Sequence, residues 1–417
     1  MTDNQKKLTP NIRFKGFSDA WEQRKLGEFA LVAGGGTPSS DKSSYWNGNI
    51  NWYTPTELGS VKYLRRSERQ ISKEGFNNSS AKILPIGSVL FTSRASIGDV
   101  GIICTPATTN QGFQSLIPQD TSDSEFLYYL GQRLKITALK LASGSTFKEI
   151  SSTSMKNIKI YIPFSTKERI QIGGLLKFLD DVITLNQRKL DQLKQFKKLF
   201  MQKIFSQEWR FKGFTDPWEQ RKLANIFCII DGDRGKNYPH ESDFKSSGNV
   251  LFLDTGNVRK SGFNFESKKF ISDKKNHQLR NGILEPADFV ITSRGTLGNV
   301  AYYDNSVQKK FPIIRINSAM LILRTKKDNT FSHDLLKNIL RSNTLKDFFT
   351  IDHVGSAQPH ITKRDFSKVK IEIPTKISEQ KQIGFLLNDV SKLVTLNQQK
   401  LNQLQQLKKY LMQNMFV

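Results

Sequence analysis

Two long stretches of the chain repeat one hydrophobic rhythm, and the rest of the sequence is arranged around them. In the first, Ile172, Leu176, Leu179, Ile183, Asn186, Leu190, Leu193, Lys197, Phe200 and Ile204 alternate steps of four and three residues. That spacing sets them on one seam of a helix, as in a coiled coil. In the second, Ile383, Leu387, Val390, Val394, Asn397, Leu401, Leu404, Lys408, Leu411 and Met415 repeat the seam position for position, polar interruptions included. Both stretches carry the string TLNQxKLxQLxQxKKxxMQxxF. Neither contains Pro, or Gly beyond its first turns, and Ser165 with Glu168 three residues on predicts a capping box at the first N-terminus. Helices over 165–207 and 374–417, with about 38 residues each, measure roughly 57 Å at 1.5 Å per residue. Two such rods, with a compact domain between them in the chain, pair most simply head to tail.

Outside the rods the rhythm shortens. A box, RFKGFSDAWEQRKL from Arg13 to Leu26, returns as RFKGFTDPWEQRKL from Arg210 to Leu223, differing only at Ser18/Thr215 and Ala20/Pro217. Trp21 and Trp218 are expected to pack each box against a rod end rather than to touch a ligand. From Phe29 to Pro163, apolar runs at 88–91, 100–104 and 113–117 alternate with Gly, Asn, Ser and Pro. They predict strands and turns, with one helix from Ser124 to about Leu141. The second half follows the same plan, with runs from Val250 to Leu253, Phe289 to Thr292, Val300 to Tyr303 and Ala319 to Leu323, and a helix from about Ser332 to Phe349. The fold class expected is α+β: two α/β domains over 1–164 and 208–373, related by a pseudo-twofold axis and separated by two long antiparallel coiled-coil helices. Rods and boxes agree closely between the halves, whereas within the domains only strings such as TSRASIGDV (92–100) and TSRGTLGNV (292–300) align. A shared scaffold thus carries two differently tuned readers.

Charge says what is read. At 417 residues the chain has room for two or three cores, and a net charge of +25 with a pI near 9.8 implies a polyanionic partner, most simply nucleic acid. Two cysteines, Cys104 and Cys228, one per half and each in an apolar stretch, argue against a disulfide framework or thiolate metal site and suit a reducing cytoplasm. The opening MTDNQKKLTPNIRFKGF has no apolar leader and no apolar run is long enough for a bilayer, so a soluble, unexported, cytoplasmic protein is expected.

Catalytic patterns fail on inspection. Gly34 to Pro38 lacks the lysine of a phosphate loop, and Asp231-Gly-Asp-Arg-Gly-Lys236 has the wrong spacing. The histidines His240, His277, His333, His353 and His360 all fall in the second half without metal-binding spacing. Asp243-Phe-Lys245 and Glu379-Gln-Lys381 look like nuclease fragments, but a chain that is 24% charged produces them by chance. Neither an Asn-Pro-Pro-Tyr motif for base methylation nor a glycine fingerprint for S-adenosylmethionine or a dinucleotide occurs. The sequence reads as a binder without cofactor or active site.

Polar, basic and aromatic positions suited to DNA gather in the predicted loops. In the first domain they are Thr37, Ser39, Tyr45, Trp46, Thr54, Ser93, Arg94, Ser96, Asn110, Gln111, Thr146 and Lys148. In the second they are Arg234, Lys236, Asn237, Tyr238, Thr255, Arg259, Ser293, Arg294, Arg315, Gln358 and His360. Arg bridges guanine, and Asn or Gln adenine, by paired hydrogen bonds, while Ser, Thr and Lys more often hold phosphates. Arg94 and Arg294 follow a strand at matching places in both halves, which suggests a common duty on the DNA backbone, with the differing loops making the sequence choice. Gly34 to Pro38 and Gly144 read more simply as turn geometry.

Together these features resemble the specificity subunit of type I restriction-modification enzymes, over nearly the whole chain. The resemblance lies in the duplicated order of box, domain and rod, in EQKQIGFLL and the TLNQxKLxQLxQxKK rods, and in GGGTPSSDKSSYWNGNINWYTPTEL (34–58), TSRASIG (92–98) and SGSTFKEIS (143–151). It implies two target-recognition domains, each reading half of a split DNA site, joined by helices that fix the nonspecific gap. It also implies docking to two modification subunits, which bind S-adenosylmethionine and methylate adenine, and to restriction subunits that use ATP and magnesium. The first rod departs from the pattern, with KERIQIGG where the second has SEQKQIGF. This places Gly173-Gly174 early in a helix, at about 1 kcal/mol per glycine.

Half-sites on one DNA face lie about 34 Å apart per helical turn, within reach of such rods, so rod length is expected to set spacer length. Beside the seam, Leu175, Val182, Phe196 and Leu199, with Leu386, Leu393, Leu407 and Tyr410, widen the apolar stripe beyond what two helices need. It meets either the adjacent domains or the methylating partner. Asn186 and Asn397 are placed to meet near the rod centres and fix register. Lys197 and Lys408 are expected to reach outward from the seam toward the helix C-terminal dipoles. Two rival readings remain: a stand-alone bipartite DNA-binding regulator, and a coiled-coil scaffold whose charge is incidental.

Overall fold

The computed structural model describes residues 9–144, 148–326, 330–342, 345 and 360–417. Both rods are unbroken helices, Thr166–Phe205 and Ile377–Asn414, so the glycine pair does not interrupt the first. The chain divides into two compact units, one formed by residues up to Arg188 with Gln399–Val417, the other by Lys189–Gln398. Each unit therefore takes in half of each rod rather than stopping at a rod's end. Among the described residues no helix is long and apolar enough to cross a membrane.

In the first unit a five-stranded sheet runs, edge to edge, Ala30–Gly34, Gln114–Pro118, Val89–Phe91, Val100–Ile103 and Tyr63–Leu64, antiparallel except at the last pair. A three-stranded sheet sets Trp46–Tyr53 between Arg69–Ile71 and Ala107–Thr109. The helix Ser124–Leu141 stands where the sequence predicts it. Its buried Phe126, Leu127, Leu130, Leu134 and Ala138 recur at helical spacing and join the sheet residues Val89, Phe91 and Val100 in one core.

The second unit repeats the plan. Its four-stranded antiparallel sheet runs Phe227–Asp231, Met320–Thr325, Phe289–Thr292 and Val300–Tyr302, and a three-stranded sheet holds Val250–Leu253 between Lys269–Ile271 and Ile313–Ile316. Its helix is described as His333–Leu340, and most of the further stretch expected to be helical, toward Phe349, lies outside the described residues.

Each box adds a strand that the sequence pattern does not reveal, because Glu-Gln-Arg-Lys is polar throughout. Glu22–Lys25 pairs antiparallel with Lys159–Ile162, and Glu219–Lys222 with Lys370–Ile373. Ahead of that strand the box meets the rod around a buried carboxylate. Arg13 donates through Nε and Nη2 to Glu168 at 2.7 and 2.9 Å, and Trp21 Nε1 donates to the same group at 3.3 Å. In the second unit Arg210 reaches Glu379 at 2.8 and 2.9 Å, and Trp218 Nε1 reaches it at 3.3 Å. Both carboxylates are 1% exposed. Glu168 is thus occupied by the box instead of closing a capping box, and Glu379, far from any nuclease role, is the matching structural ion.

Two further contacts fix each rod to its domain. A Cβ on Gly173 would lie 2.8 Å from Glu125 Cβ and Phe126 N, and one on Gly384 would lie 2.7 Å from Leu335 N. Only glycine lets the rod cross the domain helix this closely. Where the first rod has Arg169, its guanidinium grips Asp123 at 2.7 and 2.9 Å and the Pro163 carbonyl at 3.0 Å. The second rod has Gln380 there, which accepts from Ser332 N at 2.9 Å and donates to the Pro374 carbonyl at 2.8 Å. The departure in the first rod's opening is therefore an alternative fastening at the same place.

Within each unit the rod halves run antiparallel. In the first, Ile172 and Leu176 share a core with Met415 and Phe416, while Asp180 pairs with Lys408 at 2.5 Å. Phe416 stacks on Phe126 at 5.4 Å and meets Trp21 edge-on at 6.2 Å. In the second unit, Ile204 shares a core with Ile383 and Leu387, and Lys194 Nζ reaches Gln398 Oε1 at 3.4 Å.

Lys408 consequently turns across the seam, contrary to the outward path expected of it. It is drawn by Asp180, which also accepts from the Tyr129 hydroxyl at 2.6 Å. Beside them Lys62 pairs with Glu125 at 2.5 Å and lies 4.3 Å from the Tyr129 ring centre; burial lowers its pKa, against the pull of Glu125. Asn186 and Asn397 donate to Val182 and Leu393 carbonyls on their own helices, at 2.7 and 2.8 Å.

The close crossing generates a paired prediction. Gly173→Ala should destabilise the protein by about 1–3 kcal/mol, because backbone has to move. Gly174→Ala, whose Cβ would meet nothing within 4 Å, should gain up to about 1 kcal/mol. Denaturant unfolding of the two variants checks this, and shifts of the same sign in both would refute the crossing.

Candidate nucleic-acid interface

In the first unit the predicted loops converge at one end of the sheets, through backbone bonds that the sequence cannot display. Gly36 N donates to the Thr109 carbonyl at 2.8 Å, and the Thr37 hydroxyl meets the Gln111 carboxamide oxygen. A Cβ on Gly35 would lie 2.2 Å from Asn110 O, so this glycine run serves close approach between loops rather than simple turn geometry. Trp52 and Trp46 hold the same loop from below, donating to the carbonyls of Gly36 at 2.8 Å and Ser39 at 3.1 Å. Ser93 N then ties the next loop to the Gly112 carbonyl at 2.8 Å, and Ile150 N binds the Ser93 carbonyl at 3.0 Å.

The second unit assembles the equivalent loops. A Cβ on Gly232 would lie 2.2 Å from Asn317 O, and Arg234 Nη2 donates to the Ser318 carbonyl at 3.3 Å. Asp233 braces the loop by accepting from Gly235 N and Arg280 N, each at 2.7 Å. Burial opposes its ionisation, but those amides outweigh it and hold the carboxyl below the usual carboxylate range. Ser293 N binds the Ala319 carbonyl at 2.8 Å, and Ile361 N binds the Ser293 carbonyl at 3.0 Å.

The shared Thr-Ser-Arg turns are built alike. The Thr92 hydroxyl donates to Ser96 O at 2.5 Å and accepts from Asp99 N at 2.9 Å, while that of Thr292 meets Thr296 O and accepts from Asn299 N at 3.0 Å. The residue after each arginine is left-handed, Ala95 at φ 58° and Gly295 at φ 69°. Just before it, each arginine's backbone bridges to a later loop, Arg94 to Glu149 and Arg294 to His360. Arg294 is exposed, whereas Arg94 is half-buried with Glu149 4.0 Å away.

Thr37, Ser39, Gln111, Lys148, Arg234, Lys236, Arg259 and Arg294 are exposed. Trp46, Thr54, Arg94, Ser96, Asn110, Asn237, Tyr238, Thr255 and His360 are half-buried; Thr146 and Gln358 lie outside the described residues.

Four expectations need correction. Arg315 is 5% exposed, and its guanidinium is consumed by the carbonyls of Asn276, Leu279 and Asn281, which end a helix. Tyr45 is buried beneath Gly75, its hydroxyl accepting from Lys42 at 3.1 Å. Ser93 and Ser293 are buried because their backbones form the loop ladder. On the rods, Leu175 and Leu386 pack onto the domain cores, so they belong to no open landing surface, whereas Phe196, Leu199, Leu393, Leu407 and Tyr410 are exposed and Val182 is half-buried. Exposed Phe178, Leu185, Phe385 and Leu396 extend that stripe and are not among the residues expected from the sequence. Nor is Arg69: its guanidinium lies 3.8 Å over Trp46, a cross-strand pairing that no periodicity announces.

A family model described as the type I restriction modification DNA specificity domain matches the chain twice, over residues 18–195 and 215–406. The chain belongs to this family. Over 275 residues it is 33% identical to the type I restriction enzyme MjaIX specificity subunit of Methanocaldococcus jannaschii, covering 65% of this chain and 61% of that one. It is 31% identical over 164 residues to the EcoR124I/EcoR124II specificity subunit of Escherichia coli, 38% of this chain and 40% of that one. The matches thus span about three fifths and two fifths of the length of these curated relatives. In fold, the chain is similar to the S subunit of a type I restriction-modification system from M. genitalium, with a TM-score of 0.61 over 98% of this chain and 99% of that chain at 15% identity.

For a specificity-domain protein with two such turns, the matching arginines are expected to hold phosphates. Arg94→Ala and Arg294→Ala should each weaken double-stranded DNA binding broadly and reduce the slope of log affinity against log salt by about one unit for each phosphate no longer neutralised. Titrations at several salt concentrations measure this, and an unaltered slope would remove that arginine from the interface.

Proposed function

We propose that this chain is the sequence-specific DNA-recognition subunit of a type I restriction-modification complex, without an active site of its own. Each unit reads one half of a bipartite site. The observation that carries the reading is the duplication itself: two specificity-domain matches, each with a convergent loop cluster and each fastened to a rod by a buried carboxylate at the matching place. The basic charge of +25 suits a DNA partner, and the differing loops suit unlike half-sites.

The rods set the nonspecific spacer and carry the partner surface. Each rod carries exposed apolar side chains, among them Leu185 and Phe196 on the first and Leu396 and Leu407 on the second, of the kind that two modification subunits would cover. S-adenosylmethionine would be bound by those subunits, and ATP and magnesium by restriction subunits, all in the cytoplasm. The chain's own part is to orient the duplex.

DNA affinity of the purified chain, alone and with methyltransferase subunits, tests the proposal. Specific binding is expected mainly in the complex. Equally tight specific binding by the isolated chain would favour a free-standing regulator, and no binding in either state would leave only a scaffold.

A further inference from the structure

The two units differ at one structurally equivalent post beside the candidate interface. In the first, Arg69 pairs across the sheet with Trp52, and its guanidinium lies 3.8 Å over the Trp46 ring and 5.4 Å from that of Trp52. In the second, Lys269 pairs across the sheet with Phe252, and its ammonium lies 5.0 Å over Phe244, which packs on Phe252 at 5.5 Å. Strand order and register agree, so both folds build a cation on an aromatic platform at this place.

Their electrostatic states differ. Lys269 is paired with Glu241 at 3.3 Å, whereas among the described residues no carboxylate lies within ion-pair distance of the exposed Arg69. Trp46 also fastens Ser39, so the guanidinium sits beside the loop that exposes Thr37 and Ser39. Packing on the ring holds the guanidinium in place while its N–H donors stay available, which favours bidentate recognition of a flat acceptor pair. In the major groove that pair is guanine O6 and N7. Phosphate duty, by contrast, is expected of the matching Arg94 and Arg294 in both halves.

Resting on the DNA-reading role proposed above, we infer that Arg69 is a specificity-determining residue that takes a guanine edge in the half-site read by the first unit. Lys269, ion-paired with Glu241 and lacking a planar fork, is its counterpart in the second and reads no base.

Methylome sequencing of cells carrying the full chain with its methyltransferase subunits tests this directly. Arg69→Ala and the charge-preserving Arg69→Lys should each lower discrimination for guanine at one position of one half-site by roughly tenfold or more, leaving the other half-site intact. Lys269→Ala should leave the motif unchanged. An intact motif methylated evenly less in both Arg69 variants would make Arg69 a phosphate contact and overturn the inference, as would an unchanged methylome or an altered opposite half-site. A wild-type chain that directs no bipartite methylation would instead remove the recognition role itself.

Discussion

A carboxylate buried at the start of each rod is the constraint on which the architecture depends. Glu168 and Glu379 are almost wholly withdrawn from water, and a lone buried charge of that kind is untenable. Each is rescued by an arginine and a tryptophan from the box preceding its domain, so the rod can be entered only when the box strand, its partner strand and the rod are all in place. Such a pair adds little net stability compared with an apolar contact, but it permits one arrangement and penalises the others. Gly173 and Gly384 act in the same sense, because the backbone approach they allow would be blocked by any side chain.

Around this common fastening the halves are free to diverge. Arg169 with Asp123 in one unit does the work of Gln380 with Ser332 in the other, and the Trp46 platform of the first unit becomes a phenylalanine platform in the second. The turns that carry Arg94 and Arg294 keep one construction, down to the threonine hydroxyl that braces them. Divergence is greatest where a change alters which donors face outward, and least where it would expose a buried charge.

The elements with strong period were legible in the sequence. Unbroken four-three spacing from Ile172 to Ile204 specifies the first rod, and apolar runs bounded by glycine and proline locate strands such as Val250–Leu253 and Phe289–Thr292. The box tryptophans could be read as joints because an aromatic in a repeated polar string needs a packing partner. What escaped is whatever depends on partners distant in sequence. Glu-Gln-Arg-Lys has no strand signature, and only its pairing with an apolar strand makes it one. Arg315 resembled a DNA contact until three helix-end carbonyls claimed it, and Lys408 resembled a solvated lysine until Asp180 drew it inward. Residue type marks a side chain fit for DNA, whereas burial depends on how the loops cross.

With each domain fastened to a rod by its buried carboxylate, rod length is the proposed measure of the DNA spacer. Inserting about four residues near the middle of the first rod adds about 6 Å, close to two base-pair rises. Sequencing the methylome directed by this variant, in complex with the methyltransferase subunits, should show both half-sites unchanged and a longer gap between them. Altered half-sites, or an unchanged gap, would contradict the account.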